Sequence, residues 1–101
     1  MHYIVRATIP VMAGNELVKG NMDEVFNKVM GDVRPEAAYF AIENGQRTLY
    51  LIVNVEAAEE TTRIAEPLWL SLEADVEFIP VMTQEDFGKA APIIADIASR
   101  Y

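Results

Sequence analysis

The stretch 37–55, AAYFAIE-NG-QRTLYLIVNV, decides the fold of this chain of 101 residues. Two runs rich in β-branched and aromatic residues flank Asn44-Gly45, and this dipeptide is the strongest short signal for a β-hairpin with a type I′ turn. A two-residue turn fixes the register of the two strands, so Tyr39 should lie opposite Tyr50. The predicted strands are 37–43 and 46–55.

Strands and helices alternate on both sides of this hairpin. The segment HYIVRATI is typical of a strand that ends at Pro10, and apolar residues at helical spacing follow it, with a break expected at Gly20. Asn21 with Glu24 three residues later is typical of a capping box for the helix after the break. Pro67 should kink or divide the next helix, because proline lacks the N–H that a helix interior uses. The other predicted elements are a first strand at 2–9, a helix beginning near Glu59, a strand at 75–82 and a final helix capped by Thr83 with Asp86.

This order of elements predicts an α+β fold. Strand, helix, strand, strand, helix, strand is the split βαβ arrangement of ferredoxin-like folds, and here a C-terminal helix is added to it. Its antiparallel sheet has the strand order 4-1-3-2. Pro80 fits an edge position for the fourth strand, because proline has no N–H to donate to a neighbouring strand. A chain of 101 residues suffices for one domain of this kind and leaves no room for a second of ordinary size.

Successive side chains of a strand point to opposite faces of a sheet, so the sequence also predicts two distinct faces. One face is almost wholly apolar and should lie beneath the helices. Its members are Tyr3, Val5, Ala7, Ile9, Ala38, Phe40, Ile42, Leu49, Leu51, Val53, Val55, Val76, Phe78 and Met82. The other face is half polar, with His2, Ile4, Arg6, Thr8, Tyr39, Ala41, Glu43, Thr48, Tyr50, Ile52, Asn54, Glu77, Ile79 and Val81.

The half-polar face still contains an apolar patch of about several hundred Å², which is larger than most soluble monomers expose. A second copy of the chain, packed sheet against sheet, would cover the patch while using one surface twice. We therefore expect a homodimer. The predicted interface residues are Ile4, Ile52, Ile79 and Val81.

Composition excludes several classes of protein. The chain has 16 Asp and Glu against 8 Lys and Arg, a net charge of −8, whereas binding to nucleic acid needs clustered basic residues. The absence of cysteine excludes disulfides and thiol chemistry. The charge-free stretch 7–15 has nine residues and is too short to span a membrane, which takes about 20 apolar residues. The sequence thus predicts a soluble, cytoplasmic protein with no nucleic-acid or membrane partner.

We also expect no metal and no cofactor. With one histidine and no cysteine, a transition-metal site would depend on carboxylates, and no ligand spacing in the sequence supports one. A glycine-rich phosphate-binding loop is absent as well.

Three segments carry a resemblance to a known family: PEAAYF at 35–40, AEPLW at 65–69 and VEFIPVMTQED at 76–86. They resemble short bacterial members, without an assigned role, of the dimeric α/β-barrel superfamily. The resemblance covers nearly the whole chain at the level of fold and implies a ferredoxin-like domain that dimerises sheet to sheet. Antibiotic-biosynthesis-type monooxygenases and muconolactone-isomerase-like enzymes are more distantly similar.

The monooxygenases of that superfamily use an asparagine and tryptophans to assist oxygen chemistry inside the barrel. In this chain Asn54 can point inward. Trp69 falls on or after the second helix, and a second tryptophan is absent.

Arg6 and Glu77 are the most informative candidate residues, because both point to the half-polar face from neighbouring strands. Such a pair can orient an anionic ligand, or Glu77 can take a proton from a carbon acid. The same pair can instead be a salt bridge that specifies the register of a dimer.

Three further side chains admit two interpretations each. His2 is the only histidine and suits a general base, or a solvent-facing structural role near the N-terminus. Tyr39 and Tyr50 can form an aromatic wall with two hydroxyl groups, or a cross-strand pair that fills the interface.

Two functions follow from these alternatives. In the first, the chain is a homodimeric barrel that binds or transforms a small, partly apolar metabolite without a cofactor. Its pocket would be lined by Arg6, Tyr50, Asn54 and Glu77. In the second, the chain is a non-catalytic dimeric module in which those side chains pack together and leave no pocket.

Overall fold

Four helices and a four-stranded antiparallel sheet make up the computed structural model, which describes residues 1–101. The class is α+β, as predicted, and the order of elements is compatible with a ferredoxin-like fold. In chain order the elements are β1 His2–Ile9, α1 Val11–Lys19, α2 Met22–Val33, β2 Ala37–Glu43, β3 Gln46–Asn54, α3 Glu60–Leu72, β4 Asp75–Val81 and α4 Gln84–Ala98.

The hairpin of β2 and β3 has the predicted turn. Asn44 and Gly45 both have positive φ, at 53° and 73°, as the two central residues of a type I′ turn require. Tyr39 lies opposite Tyr50, so the register predicted from the length of the turn is confirmed.

The sheet order is β2-β3-β1-β4, which is the predicted 4-1-3-2 order counted from the opposite edge. The strand β1 lies in the interior and pairs antiparallel with both β3 and β4. Pro80 lies on the edge strand β4, where an outward-facing backbone position needs no donor.

The core lies between one face of the sheet and the helices α2 and α3. Side chains from β1 and β3 point into it at every second position, as the period of a strand requires. Its buried members are Val5, Ala7, Ile9, Val29, Val33, Leu49, Leu51, Val53, Val55, Ile64, Leu68, Leu72 and Ala74.

The helices differ from the sequence expectation at two places. Asn21 precedes α2, but its side chain makes no capping hydrogen bond, so the predicted capping box is wrong. Of the two outcomes expected at Pro67, a kink or a division of the helix, the division is wrong, because α3 includes Pro67 and runs from Glu60 to Leu72. The helix continues because Ile64, Leu68 and Leu72 are buried along one side of it, and this burial outweighs the one backbone hydrogen bond that proline cannot make.

Part of the face that should lie beneath the helices is uncovered. Phe40 is 67% exposed and Ile42 is 86% exposed, although both were expected in the core, and Met82 is exposed as well. For Phe40 and Ile42 the reason is that α1 and α2 leave a groove beside the edge strand β2, whereas Met82 lies beyond the end of β4 at the opposite edge. We call this cavity of about 780 Å³ the α2–β2 groove; its apolar walls include Leu17, Met22, Phe26, Met30, Phe40 and Ile42.

The last helix, α4, lies apart from this core. Its start is well defined, because Thr83 and Asp86 form the predicted capping box with hydrogen bonds of 3.0 and 3.1 Å. None of its residues is buried. The chain has a radius of gyration of 16.8 Å and measures 58 × 28 × 19 Å, whereas a compact domain of this length has a radius near 13 Å. The helix therefore projects from the body of the molecule.

The turn can be tested by comparing one substitution at two glycines. Gly45→Ala should destabilise the fold by about 1–2 kcal/mol, because alanine disfavours positive φ. Gly31→Ala should be neutral or stabilise by up to about 1 kcal/mol, since Gly31 lies within α2 and an added methyl group meets no neighbour. Urea unfolding of both variants measures the difference, and equal effects would contradict the type I′ turn.

Candidate functional site

No helix packs on the face of the sheet opposite the core, and we call this face the open face. It consists of the fourteen residues assigned to the half-polar face in the sequence, and Thr48 alone among them is buried. The contrast with the fully buried Val5, Ala7 and Leu51 on the other face shows that the alternation was interpreted correctly for β1 and β3.

Four polar side chains of the open face form one connected group, with one residue from each strand. We call Arg6 of β1, Glu43 of β2, Tyr50 of β3 and Glu77 of β4 the four-strand cluster. Arg6 donates from Nη2 to Glu77 Oε2 at 2.6 Å and from Nη1 to Glu43 Oε1 at 3.2 Å. The Tyr50 hydroxyl donates a short hydrogen bond to Glu43 Oε2.

The register of the strands explains how this group assembles. Arg6 lies directly opposite Tyr50 on one side and Glu77 on the other, so the three side chains stand in a row across the sheet. Glu43 is the last residue of β2 before the turn. The long side chains of Arg6 and Tyr50 both reach toward it.

The charges of the cluster do not cancel. One guanidinium faces two carboxylates, which leaves one net negative charge. The hydrogen bond from Arg6 to Glu77 raises the pKa of the guanidinium. The hydrogen bond to Glu43 raises the pKa of the Tyr50 phenol. At neutral pH the cluster therefore contains a charged Arg6 and a protonated Tyr50 that acts as a donor.

The remaining capacity for hydrogen bonding lies mainly on Glu77. Its side chain is 59% exposed and uses only Oε2 within the chain, so Oε1 is free to accept from a ligand. Both Arg6 and Tyr50 already donate to carboxylates. The arrangement thus presents an acceptor next to a cation, rather than a free cation awaiting an anion.

An apolar band lies beside the cluster on the open face. Ile4 is paired with Ile52 on β3 and with Ile79 on β4, so three isoleucines stand in a row two residues away from Arg6. Val81 extends the band at the edge. A molecule lying against the cluster would therefore meet polar groups at one end and aliphatic side chains at the other.

Two of the predicted site residues lie elsewhere. His2 and Asn54 are opposite each other, four residues along the strands from Arg6 and Tyr50, on the order of 13 Å away. His2 Nε2 lies 3.1 Å from Glu36 Oε1, and Asn54 Oδ1 accepts from the Met1 ammonium group at 3.0 Å. His2 therefore contacts Glu36, just before β2, and Asn54 contacts the N-terminus. Both residues lie outside the cluster.

Tyr39 lies at the border of the cluster. It is opposite Tyr50 in the register, as predicted, but it is exposed and makes no hydrogen bond through its hydroxyl. Of the six predicted candidates, the structure thus brings Arg6, Tyr50 and Glu77 into contact, with Tyr39 as a neighbour.

Glu43 is the member that sequence reasoning missed as a candidate. Alternation places it on the same face as Arg6 and Tyr50, so the signal was present in the pattern. In the register of the hairpin, Glu43 lies opposite Gln46 rather than Tyr50. Its carboxylate contacts Tyr50 diagonally across the two strands, and register alone does not predict such a contact.

The structure contains no group of three or more His, Asp or Glu side chains arranged to hold a metal ion. None of the four helices has the length and apolar character needed to cross a membrane.

Comparison with known proteins returned no relative: no protein-family model, no curated protein and no solved structure matches this chain. The geometry of the open face is accordingly the basis for assigning a function.

The hydrogen bond between Tyr50 and Glu43 predicts a pH dependence. Because folding raises the pKa of the phenol, its stabilising contribution is complete below about pH 10, the ordinary pKa of tyrosine, and is lost as the pH rises through the folded value. Glu43→Ala should therefore move one tyrosine ionisation to lower pH in an ultraviolet absorbance titration. This shift should vanish in a Tyr50→Phe background and persist in a Tyr39→Phe background. A shift that survives Tyr50→Phe would assign the bond to another tyrosine.

Proposed function

We propose that the chain forms a homodimer through the open face and binds a small, partly apolar metabolite at the four-strand cluster without a cofactor. The observation that carries the proposal is the cluster itself, in which each of four strands contributes one polar side chain beside an apolar band. This association is the one implied by the resemblance to the dimeric α/β-barrel superfamily, to which we propose the chain belongs.

The dimer is supported by the apolar content of the open face. Tyr39 and Ile79 are exposed, and Ile4 and Ile52 are only partly covered, so four neighbouring large side chains face solvent in the single chain. A two-fold axis would bring the same band of each copy together. Directly packed sheets stand about 10 Å apart with interdigitated side chains, so in the dimer that we propose the two sheets lie farther apart at the clusters, around the ligand.

The chemistry of the cluster favours a neutral ligand over an anion. Arg6 is already paired with two carboxylates, and the group as a whole is negative. Glu77 Oε1 instead suits a donor, such as a hydroxyl group or an acidic C–H next to a carbonyl. The isoleucine band would contact the apolar part of the same molecule.

The cluster also suits the transfer of a proton. When Glu77 takes a proton from a ligand, its negative charge is lost and the Arg6 guanidinium 2.6 Å away is released from it. The guanidinium can then stabilise the oxyanion that forms on the ligand. Glu77 would act as the base and Arg6 as the electrostatic partner, with Tyr50 and Glu43 holding Arg6 in place.

One observation favours a second function, that of a non-catalytic dimeric module. Every donor of Arg6 that contacts the chain has a carboxylate partner, as in a network of salt bridges that specifies how two surfaces align. In that case the side chains would close against the second copy and leave no pocket.

The dimer is tested by placing a charge on the open face. A variant with Ile94→Glu, which places a charge among the exposed apolar side chains of α4 and so removes that helix from association, should have about twice the 11.3 kDa mass of one chain in light scattering. Ile52→Asp should shift it toward monomer, because burying an unpaired carboxylate between two sheets is costly. Leu70→Asp is a matched control, since Leu70 is 80% exposed on α3 and away from the open face. A monomeric Ile94→Glu protein, or an Ile94→Glu, Ile52→Asp double variant that remains fully dimeric, would contradict the open-face dimer.

Ligand binding is tested by thermal shift with small phenols, enolisable ketones and carboxylates. Phenols or ketones should raise the Tm of the wild type, whereas carboxylates should not. Glu77→Gln should abolish this shift, since the amide is a weaker acceptor and cannot take the proton. The isosteric Glu66→Gln on α3 serves as control and should retain it.

The same variants distinguish the second function. If Arg6→Met and Glu77→Gln each lower the Tm, the double variant recovers much of the loss and no compound shifts the wild type, then the pair is a structural salt bridge.

A further inference from the structure

The helix α4 has an apolar side with no partner in its own chain. On a helical projection, Phe87, Ala90, Ile93, Ile94 and Ile97 fall within one arc that also contains Asp86, and Glu85, Lys89 and Asp96 form a polar arc that begins beside Ile93. The four large apolar side chains are between 44% and 62% exposed. A helix with this pattern normally buries its apolar side against another apolar surface. None of the residues of α4 is buried in the single chain, so we expect this side to have a partner elsewhere.

The α2–β2 groove is an apolar surface that no other part of the chain covers. Phe26 and Phe40 meet there edge to face, with ring centroids 6.0 Å apart, yet Phe40 and Ile42 remain mostly exposed. Ten of its fourteen lining residues are hydrophobic. An apolar groove beside a helix and an edge strand is a surface on which the apolar side of an amphipathic helix can dock.

The α4 helix cannot fill the groove of its own chain. It follows β4 at one edge of the sheet, whereas the groove lies at β2 on the other edge, about three strand spacings or 14 Å away. The end of β4 at Val81 is also level with His2, whereas the groove lies near Ile9 at the far end of β1. Only Met82 and Thr83 connect β4 to α4, and the helices over the core occupy the path between.

We propose that α4 of each chain docks into the α2–β2 groove of a second copy, in a reciprocal exchange. With roughly 100 Å² exposed on each of four side chains, α4 offers on the order of 400 Å² of apolar surface. Two such contacts, counted on helix and groove, bury on the order of 1,600 Å², which is the standard size of a stable protein interface. Both the apolar side of α4 and the groove would thereby be covered.

The occupant is α4 of a second copy rather than a small apolar molecule, because two observations agree. Phe40 and Ile42 in the groove are mostly exposed, so the groove is not an enclosed cavity, and α4 carries four large apolar side chains none of which is buried in its own chain. The exchange also uses surfaces separate from the open face, so it stands independently of the proposed function.

Site-directed cross-linking provides the test, since the chain contains no cysteine of its own. Full-length Ile94→Cys and Phe40→Cys proteins are mixed, allowed to exchange subunits and oxidised. A disulfide-linked heterodimer should form in large excess over both homodimers. The matched control replaces Ile94→Cys with Lys89→Cys, on the polar side of the same helix, and should give no heterodimer above background. Absence of the Ile94 heterodimer would overturn the exchange.

Two further measurements test the other possible occupants of the groove, which are a small apolar molecule and α4 of the same chain. If α4 fills the groove, the apolar dye ANS should fluoresce weakly with wild-type protein and more strongly with Ile94→Glu, which releases the helix. Strong fluorescence in the wild type that Phe40→Glu abolishes would show an open groove and overturn the proposal. A double Phe40→Cys, Ile94→Cys variant that forms only an intramolecular disulfide would do the same.

The two interfaces can be separated by combining these variants with Ile52→Asp. Persistence of the cross-link in that background supports the exchange even if the open-face dimer fails. Loss of the open-face dimer alone leaves the exchange intact, so failure of one proposal is distinguishable from failure of the other.

Discussion

The two-residue turn at Asn44-Gly45 is the constraint on which the other features of this molecule depend. Positive φ at both central residues is the signature of a type I′ turn. This turn aligns β2 with β3 residue by residue. A shift of one residue would move Tyr50 into the core and Leu49 onto the open face. The turn therefore determines that Glu43 and Tyr50 share the open face, whereas the separate pairing of β1 with β3 places Arg6 beside Tyr50.

The cluster is unusual for a sheet surface because it connects all four strands. Ion pairs on an exposed sheet usually join two neighbouring strands, whereas Arg6 here bridges from Glu77 on one edge to Glu43 on the other. Its negative balance and the free oxygen of Glu77 are the reasons for proposing a neutral, hydrogen-donating ligand. Its position beside the isoleucine band is the reason for proposing that such a ligand is partly apolar.

Three apolar surfaces of the single chain lack a partner: the open face, the α2–β2 groove and α4. A small domain that leaves so much apolar surface in water is poorly stabilised as a monomer. Contacts between copies can cover all three, with the sheets facing each other and the helices exchanged. The elongated shape of the chain, 58 Å in its longest dimension, agrees with a subunit whose last helix belongs to an assembly.

Local rules were enough to predict the class of fold, the strand order, the hairpin register and the division of β1 and β3 into two faces. Each follows from turn geometry, alternation and proline placement, which act over a few residues. The placement of Phe40 and Ile42 could not be predicted in this way, because alternation assigns a face but not whether a helix covers it. Glu43 joined the cluster through side-chain reach, and His2 and Asn54 left it because they lie at the other end of the same strands. Distances along and between strands are set by tertiary packing, and only the folded chain decides them.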